Sequence, residues 1–134
     1  MPEVSTYDPK KVTVSIGGRV ITGFAADGVV TLTHNEDAVT PSVGAKGDVA
    51  YSENANNSGK AALPLMSTSS SLAYLREICA KRRPVRFSVS DVNDADAIQV
   101  SEENCRILKM PDTPRSKDPT TVTVNVYIPD LNYR

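Results

Sequence analysis

Residues 11–25 read KVTVSIGGRVITGFA. Val12, Val14 and Ile16 alternate with Lys11, Thr13 and Ser15, the period-two pattern of a strand with one buried face. Gly17-Gly18 follows. A glycine pair between two such runs is a hairpin signal, because the tight turn needs positive φ at its centre. Arg19 to Ala25 is then the returning strand. Asp27-Gly28 marks a second turn, and Val29 to His34 a third strand. Three strands within about two dozen residues set the expectation of a mainly β chain.

The same reading extends outward. Residues 1–10 are polar, contain two prolines and form an expected N-terminal arm. Residues 35–47, NEDAVTPSVGAKG, lose the alternation and carry Pro41, Gly44 and Gly47, so they read as a long loop. Asp48 to Glu53 alternates again, and Asn54 to Gly59 is a turn cluster. Lys60 to Met66 is a strand in which Pro64 cannot donate a ladder hydrogen bond, which assigns it to an edge or a bulge. Ser67 to Ser71 is a run of hydroxyl residues suited to capping. Leu72, Leu75, Ile78 and Cys79 then recur at helical spacing, with Arg76, Glu77, Lys81 and Arg82 opposite, predicting one amphipathic helix over residues 71–82 that Pro84 ends. Strands are expected at Val85 to Val89, Ala97 to Ser101, Glu103 to Met110 and Thr121 to Ile128. Residues 111–119 form a second long polar loop.

This pattern predicts a single domain spanning 1–134, a β-sandwich or barrel of seven to ten strands with one helix. Leu72, Leu75, Ile78 and Cys79 should lie buried against the sheet.

Composition narrows the function. Fifteen basic residues face sixteen acidic ones, a net charge of −1, whereas nucleic-acid binders carry a basic excess. The most basic stretch, Lys81, Arg82, Arg83 and Arg86, reads as the cationic end of the helix complementing its dipole. Aromatic residues make up 5% of the chain and Trp is absent, which leaves little to line a drug-sized pocket. Cys79 and Cys105 form no CxxC pair and read as packed free thiols, as in a reducing cytoplasm. The N-terminus has no apolar signal region, and no run approaches a membrane span. The expectation is a soluble chain with no membrane partner.

Catalytic and metal patterns are weak. His34 is the single histidine, and its neighbours Asn35, Glu36 and Asp37 do not make the three or four His/Cys-type ligands of a zinc site. Asp91, Asn93 and Glu102 match positions of a calcium loop, but Asp96 stands where that loop needs glycine. There is no G-x-S-x-G and no P-loop. Cys105, between Asn104 and Arg106, lies within an alternating strand and reads as a packed thiol. The expectation is a protein without cofactor or catalytic residues, and not an enzyme.

Residues 11–65 resemble an uncharacterised family of phage structural proteins. The likeness lies in the Gly17-Gly18 hairpin, the ITGFA-DG turn from Ile21, the Asn35-Glu36-Asp37 triplet, Gly44-x-x-Gly47-Asp48 and Asn56-x-Ser58-Gly59. The S-x-x-L helix and the final strand are also similar, so the match covers roughly residues 10–128. None of these motifs is catalytic.

The resemblance implies the tail tube of a contractile bacteriophage tail. It implies a β-sandwich or barrel with a flanking helix, related to the secreted tube of type VI systems. It further implies hexameric rings that self-assemble into a stack, with a tail sheath protein as partner and a lumen that passes DNA during ejection without binding it. Such a chain would reside in the virion tail after assembly in the host bacterial cytoplasm. A tail terminator, baseplate component or head–tail connector is the alternative within that class, and a monomeric β-sandwich binding module the alternative outside it.

Two sets of residues follow as candidates. Loop 35–47 is long and mixed in charge, so Asn35, Glu36, Asp37, Lys46 and Asp48 are expected at a subunit interface. Strand residues of a tube alternate between core and lumen. Thr31, Thr33, Ser52, Ser88, Gln99, Thr121, Thr123 and Asn125 are therefore expected to face the passage, as a small uncharged wall that gives phosphate no hold.

Overall fold

The computed structural model describes residues 9–26, 28–93, 98–111 and 120–132. The expected arm over residues 1–10 and the loop 111–119 fall almost wholly outside them. Among the described residues there are nine strands, one α-helix and a short 3-10 turn, Pro9–Lys11. The chain is mainly β, as its alternation predicts.

One sheet has four strands in the order β2-β1-β7-β8: β1 Val12–Ile16, β2 Arg19–Val20, β7 Val85–Asp91 and β8 Gln99–Cys105. A second has three, β3-β6-β9: β3 Thr31–His34, β6 Gly59–Met66 and β9 Thr121–Ile128. A third is a two-stranded ribbon of β4 Val39–Val43 and β5 Val49–Glu53. Every pairing is antiparallel.

Alternation decides which face is dry. Val14, Ile16, Phe87, Val89 and Val100 point inward from the four-stranded sheet. Ala61, Leu63, Leu65, Val122, Val124, Val126 and Ile128 point inward from the three-stranded sheet, and both sets join one core. Beyond that shared core, a backbone bridge joins the chain just after β8 to β9, where Tyr127 and Arg106 exchange bonds of 2.7 and 3.1 Å. The two sheets do not close into a barrel, so β2 and β3 remain outer edges.

Helix α1 (Ser71–Lys81) completes the core by burying Leu72, Leu75 and Ile78, spaced three apart on one face. Ser69 and Ser71 tie its start to the β2–β3 connection. Ser69 Oγ donates to the Thr22 carbonyl at 2.6 Å, and Thr22 N–H donates to Ser71 Oγ at 3.0 Å. Tyr74 Oη donates to the Ile16 carbonyl at 2.8 Å, and the Arg19 guanidinium lies 4.9 Å from the Tyr74 ring centre. The helix ends at Arg82, which takes the left-handed conformation with φ 52°.

Several details depart from the sequence reading. Arg19 to Ala25 is strand only at Arg19–Val20, with a further bridge from Phe24 to Leu65. The two strands expected between residues 97 and 110 are one strand, β8, followed by irregular chain; Asn104 takes positive φ, 64°, and breaks the alternation there. Cys79 is half-buried rather than buried and directs its thiol to the Ile107 carbonyl.

Pro64 sits in the central strand, β6, rather than at an edge. Its carbonyl accepts from Ala25 N–H at 2.8 Å, so its nitrogen points to the same side. On that side β3 stops at Thr31 opposite Ala62, and Gly28 to Val30 leave the ladder. Ala25 lies opposite the proline, beside the Phe24–Leu65 bridge, and its carbonyl accepts from Gly28 N–H at 3.4 Å instead, so the missing donor leaves no acceptor idle.

Candidate assembly surface: an unpartnered β-ribbon

The segment expected as loop 35–47 is half strand. Val39–Val43 pairs with Val49–Glu53, from Val39 opposite Glu53 to Val43 opposite Val49. Alternation is masked in the sequence because Thr40, Pro41 and Ser42 do not read as a strand. The turn that joins the two strands is closed by Gly44 N–H donating to the Asp48 carbonyl at 2.7 Å and Gly47 N–H to the Gly44 carbonyl at 3.0 Å. Gly47 has φ +91°, which explains a glycine there.

Directly opposed residues share a face in an antiparallel pair. Val39, Pro41, Val43, Val49 and Tyr51 therefore form one apolar stripe, with Glu53 at its inner end. Thr40, Ser42, Ala50 and Ser52 form the other, small and mostly polar face. All ten strand residues are exposed, with Val43 at 71% and Tyr51 at 72%. A lone two-stranded ribbon is marginal in water. This one has an apolar side that no described residue covers, which is the character of an interface element.

Its root, by contrast, is held firmly by side-chain amides. Asn54 Nδ2 donates to the Asp37 carbonyl at 3.0 Å, and Asn54 N–H to the Ala38 carbonyl at 2.8 Å. Asn56 Nδ2 donates to the Glu36 carboxylate. Asn35 Nδ2 donates to Ser58 Oγ at 3.1 Å. Asn57 Nδ2 donates to Asp130 Oδ1 at 2.7 Å and to the Leu131 carbonyl at 3.0 Å, pinning the root to the chain after β9. Bonds from Asn57 and then Asn132 hold the Asp130 carboxyl below its ordinary range. His34 Nε2 donates to the Leu131 carbonyl at 3.0 Å, so the histidine belongs to this clasp. Gly59 completes it: a Cβ there would lie 2.5 Å from Leu131 Cδ2 and 2.8 Å from the Thr33 carbonyl oxygen.

The five interface candidates thus fall on one element. Asn35, Glu36 and Asp37 are at its root, and Lys46 and Asp48 are in its turn. Sequence reasoning missed Val39, Pro41, Val43, Val49 and Tyr51. Their signal was an apolar residue at every second position on both sides of a Gly-rich turn.

The expected passage-facing residues divide among three surfaces. Thr31, Thr33, Thr121, Thr123 and Asn125 share the outer face of the three-stranded sheet, where Thr31, Ala62 and Asn125 form one cross-strand row. Ser88 and Gln99 lie on the outer face of the four-stranded sheet, where Ser15 Oγ and Ser88 Oγ are 2.6 Å apart. Ser52 lies on the polar face of the ribbon. The two outer faces back the same core from opposite sides.

No protein-family model and no curated protein sequence matches the chain. Solved structures do. The chain is similar to one in the cryo-EM structure of the anti-feeding prophage cap, the AFP tube terminating cap, with TM-score 0.60 and 9% identity over 99% of this chain and 95% of that one. It is similar to one in the PVC sheath/tube terminator of an extracellular contractile injection system in the extended state, with TM-score 0.62 and 12% identity over 100% and 98%. A third, the PVC sheath-tube complex in the extended state, aligns with TM-score 0.58 and 12% identity over 92% of this chain and 88% of the other. At these identities the likeness is one of fold, and it runs nearly end to end. The mainly β fold with a flanking helix that the resemblance implies is the fold found.

Proposed function

We propose that this chain is a non-enzymatic structural subunit of the tube region of a contractile tail or injection system. The observation that carries the reading is the ribbon, a built and anchored element whose apolar stripe is covered by none of the described residues. The near-complete alignment with chains of tube, cap and terminator assemblies supports it.

Two of those three assemblies are named for the terminating end of a tube, which favours a terminator or cap component over a subunit of the tube body. The tube-body reading keeps one specific support: the third assembly is a sheath-tube complex. Both readings have the chain ring up with its own copies, as hexamers in the tail-tube case, and meet tube or sheath proteins in the virion tail. Both leave DNA to pass without a grip. They differ in whether rings stack. Negative-stain electron microscopy of the purified protein separates them. A terminator gives single rings or no polymer, and a tube subunit gives stacks of indefinite length. A strictly monomeric chain under all conditions, alone and with its neighbouring tube and sheath proteins, refutes both.

A further inference from the structure

A groove of about 820 Å³ lies between the C-terminal half of α1 and the chain leaving β8. Arg76 and Arg82 border it from the helix, and Arg106 and Lys109 from the segment after the strand. Between these cations the lining is apolar, chiefly Leu108 and Met110, and Leu108 is 70% exposed. Among the described residues no carboxylate lines the groove, and none of the four cations has an ion-pair partner. The helix dipole accounts for Arg82, at the helix end, but not for Arg106 and Lys109, which come from another element. Arg106 is fixed in place by its two backbone bonds to Tyr127.

We propose that this groove receives the β-ribbon of a second copy of this chain. The ribbon is complementary in both properties. Its stripe of Val43, Val49 and Tyr51 matches the apolar lining. Residues 36–53 carry Glu36, Asp37, Asp48 and Glu53 against Lys46, a net −3, to meet the four cations. Glu53 shares the face of the apolar stripe, opposite Val39, and Asp37 follows at the root. Donor and acceptor are different patches, so the contact is heterologous and joins copies into a ring or a stack. A near-neutral chain that segregates its charge into one acidic arm and one basic groove encodes orientation as well as attraction.

The inference rests on the proposed self-assembly, and charge reversal separates the two. Arg106→Glu with Lys109→Glu changes two exposed side chains and should leave the circular-dichroism spectrum unchanged. In sedimentation velocity at low salt it should weaken association about tenfold or more. Adding Asp37→Lys and Glu53→Lys to the same chain should restore it. In a Cys79→Ser background, which removes the native thiol lining the groove, a mixture of Val43→Cys and Leu108→Cys chains should cross-link under oxidation, and a mixture with Val20→Cys replacing Leu108→Cys should not. Groove variants that assemble like the parent overturn the groove but leave the structural reading standing. So does a loss that ribbon reversal fails to rescue. Duplex DNA bound by the parent and released by the groove variant would also overturn it, assigning the cations to phosphate. A parent chain that never associates refutes the inference together with the reading beneath it.

Discussion

Cys105 and Cys79 differ in how fully the chain around each one describes its surroundings. Cys105 lies at the inward end of β8, fully buried. Burial pushes its thiol from the ordinary 9.0 up to about 11, and the nearby Glu102 carboxylate adds to the rise. A raised thiol pKa means that the native state favours the protonated form. Its contribution to stability is complete below pH 9 and is lost as pH climbs through about 11. At pH 8 a thiol reagent should therefore modify Cys79 in the native protein and Cys105 only after denaturation. An Ellman titration checks this; two thiols reacting at equal rates in the native state would contradict it. Val100 and Cys105 of the same strand both face the core, which unbroken alternation would forbid; the irregularity at Asn104 turns Cys105 to the dry side. Helical period puts Cys79 on the dry side too, but period alone cannot say where the opposing element stops. The chain after β8 leaves that side of the helix half open.

At the scale of elements, β9 and α1 were legible because their periods run unbroken, Val122 to Ile128 in steps of two and Leu72 to Ile78 in steps of three. The ribbon was not. Its strands contain Pro41, Thr40 and Ser42, and no core selects one face over the other. A strand is recognised by the contrast between a wet and a dry side, and here both sides are wet in the isolated subunit. This gives a prediction about independence. Replacing residues 39–53 with a Gly-Gly link removes no core residue and leaves the Asn57–Asp130 and His34–Leu131 ties intact. The shortened protein should melt within a few degrees of the parent, yet fail to assemble. Calorimetry and sedimentation velocity read the two outcomes separately. Normal rings or tubes from the shortened chain would mean that the ribbon is not the joint.

For the whole molecule, the question is which outer face looks inward once copies assemble. Thr123 and Ser88 represent the two choices. A lysine at a position facing the passage would create a phosphate contact and retain DNA at low salt, an effect that fades as salt rises. Thr123→Lys and Ser88→Lys, each tested in assembled particles, should therefore differ. One slows DNA ejection in a salt-dependent way, and the other leaves it unchanged because its face is turned outward. Equal, normal ejection from both at low salt would rule out the smooth uncharged conduit on either face. The sequence by itself determined that this chain is mainly β, with a helix over a shared core. Those properties depend on local period and residue type, and both are written along the chain. Only the tertiary structure decided that Pro64 sits in a central strand opposite Ala25 and that the loop is a ribbon with an exposed apolar stripe. It alone decided that Arg76 and Lys109 meet across one groove. Each of these is a meeting of segments distant in sequence, and pairing at that range is set by how the sheets and the helix pack rather than by any neighbour along the chain.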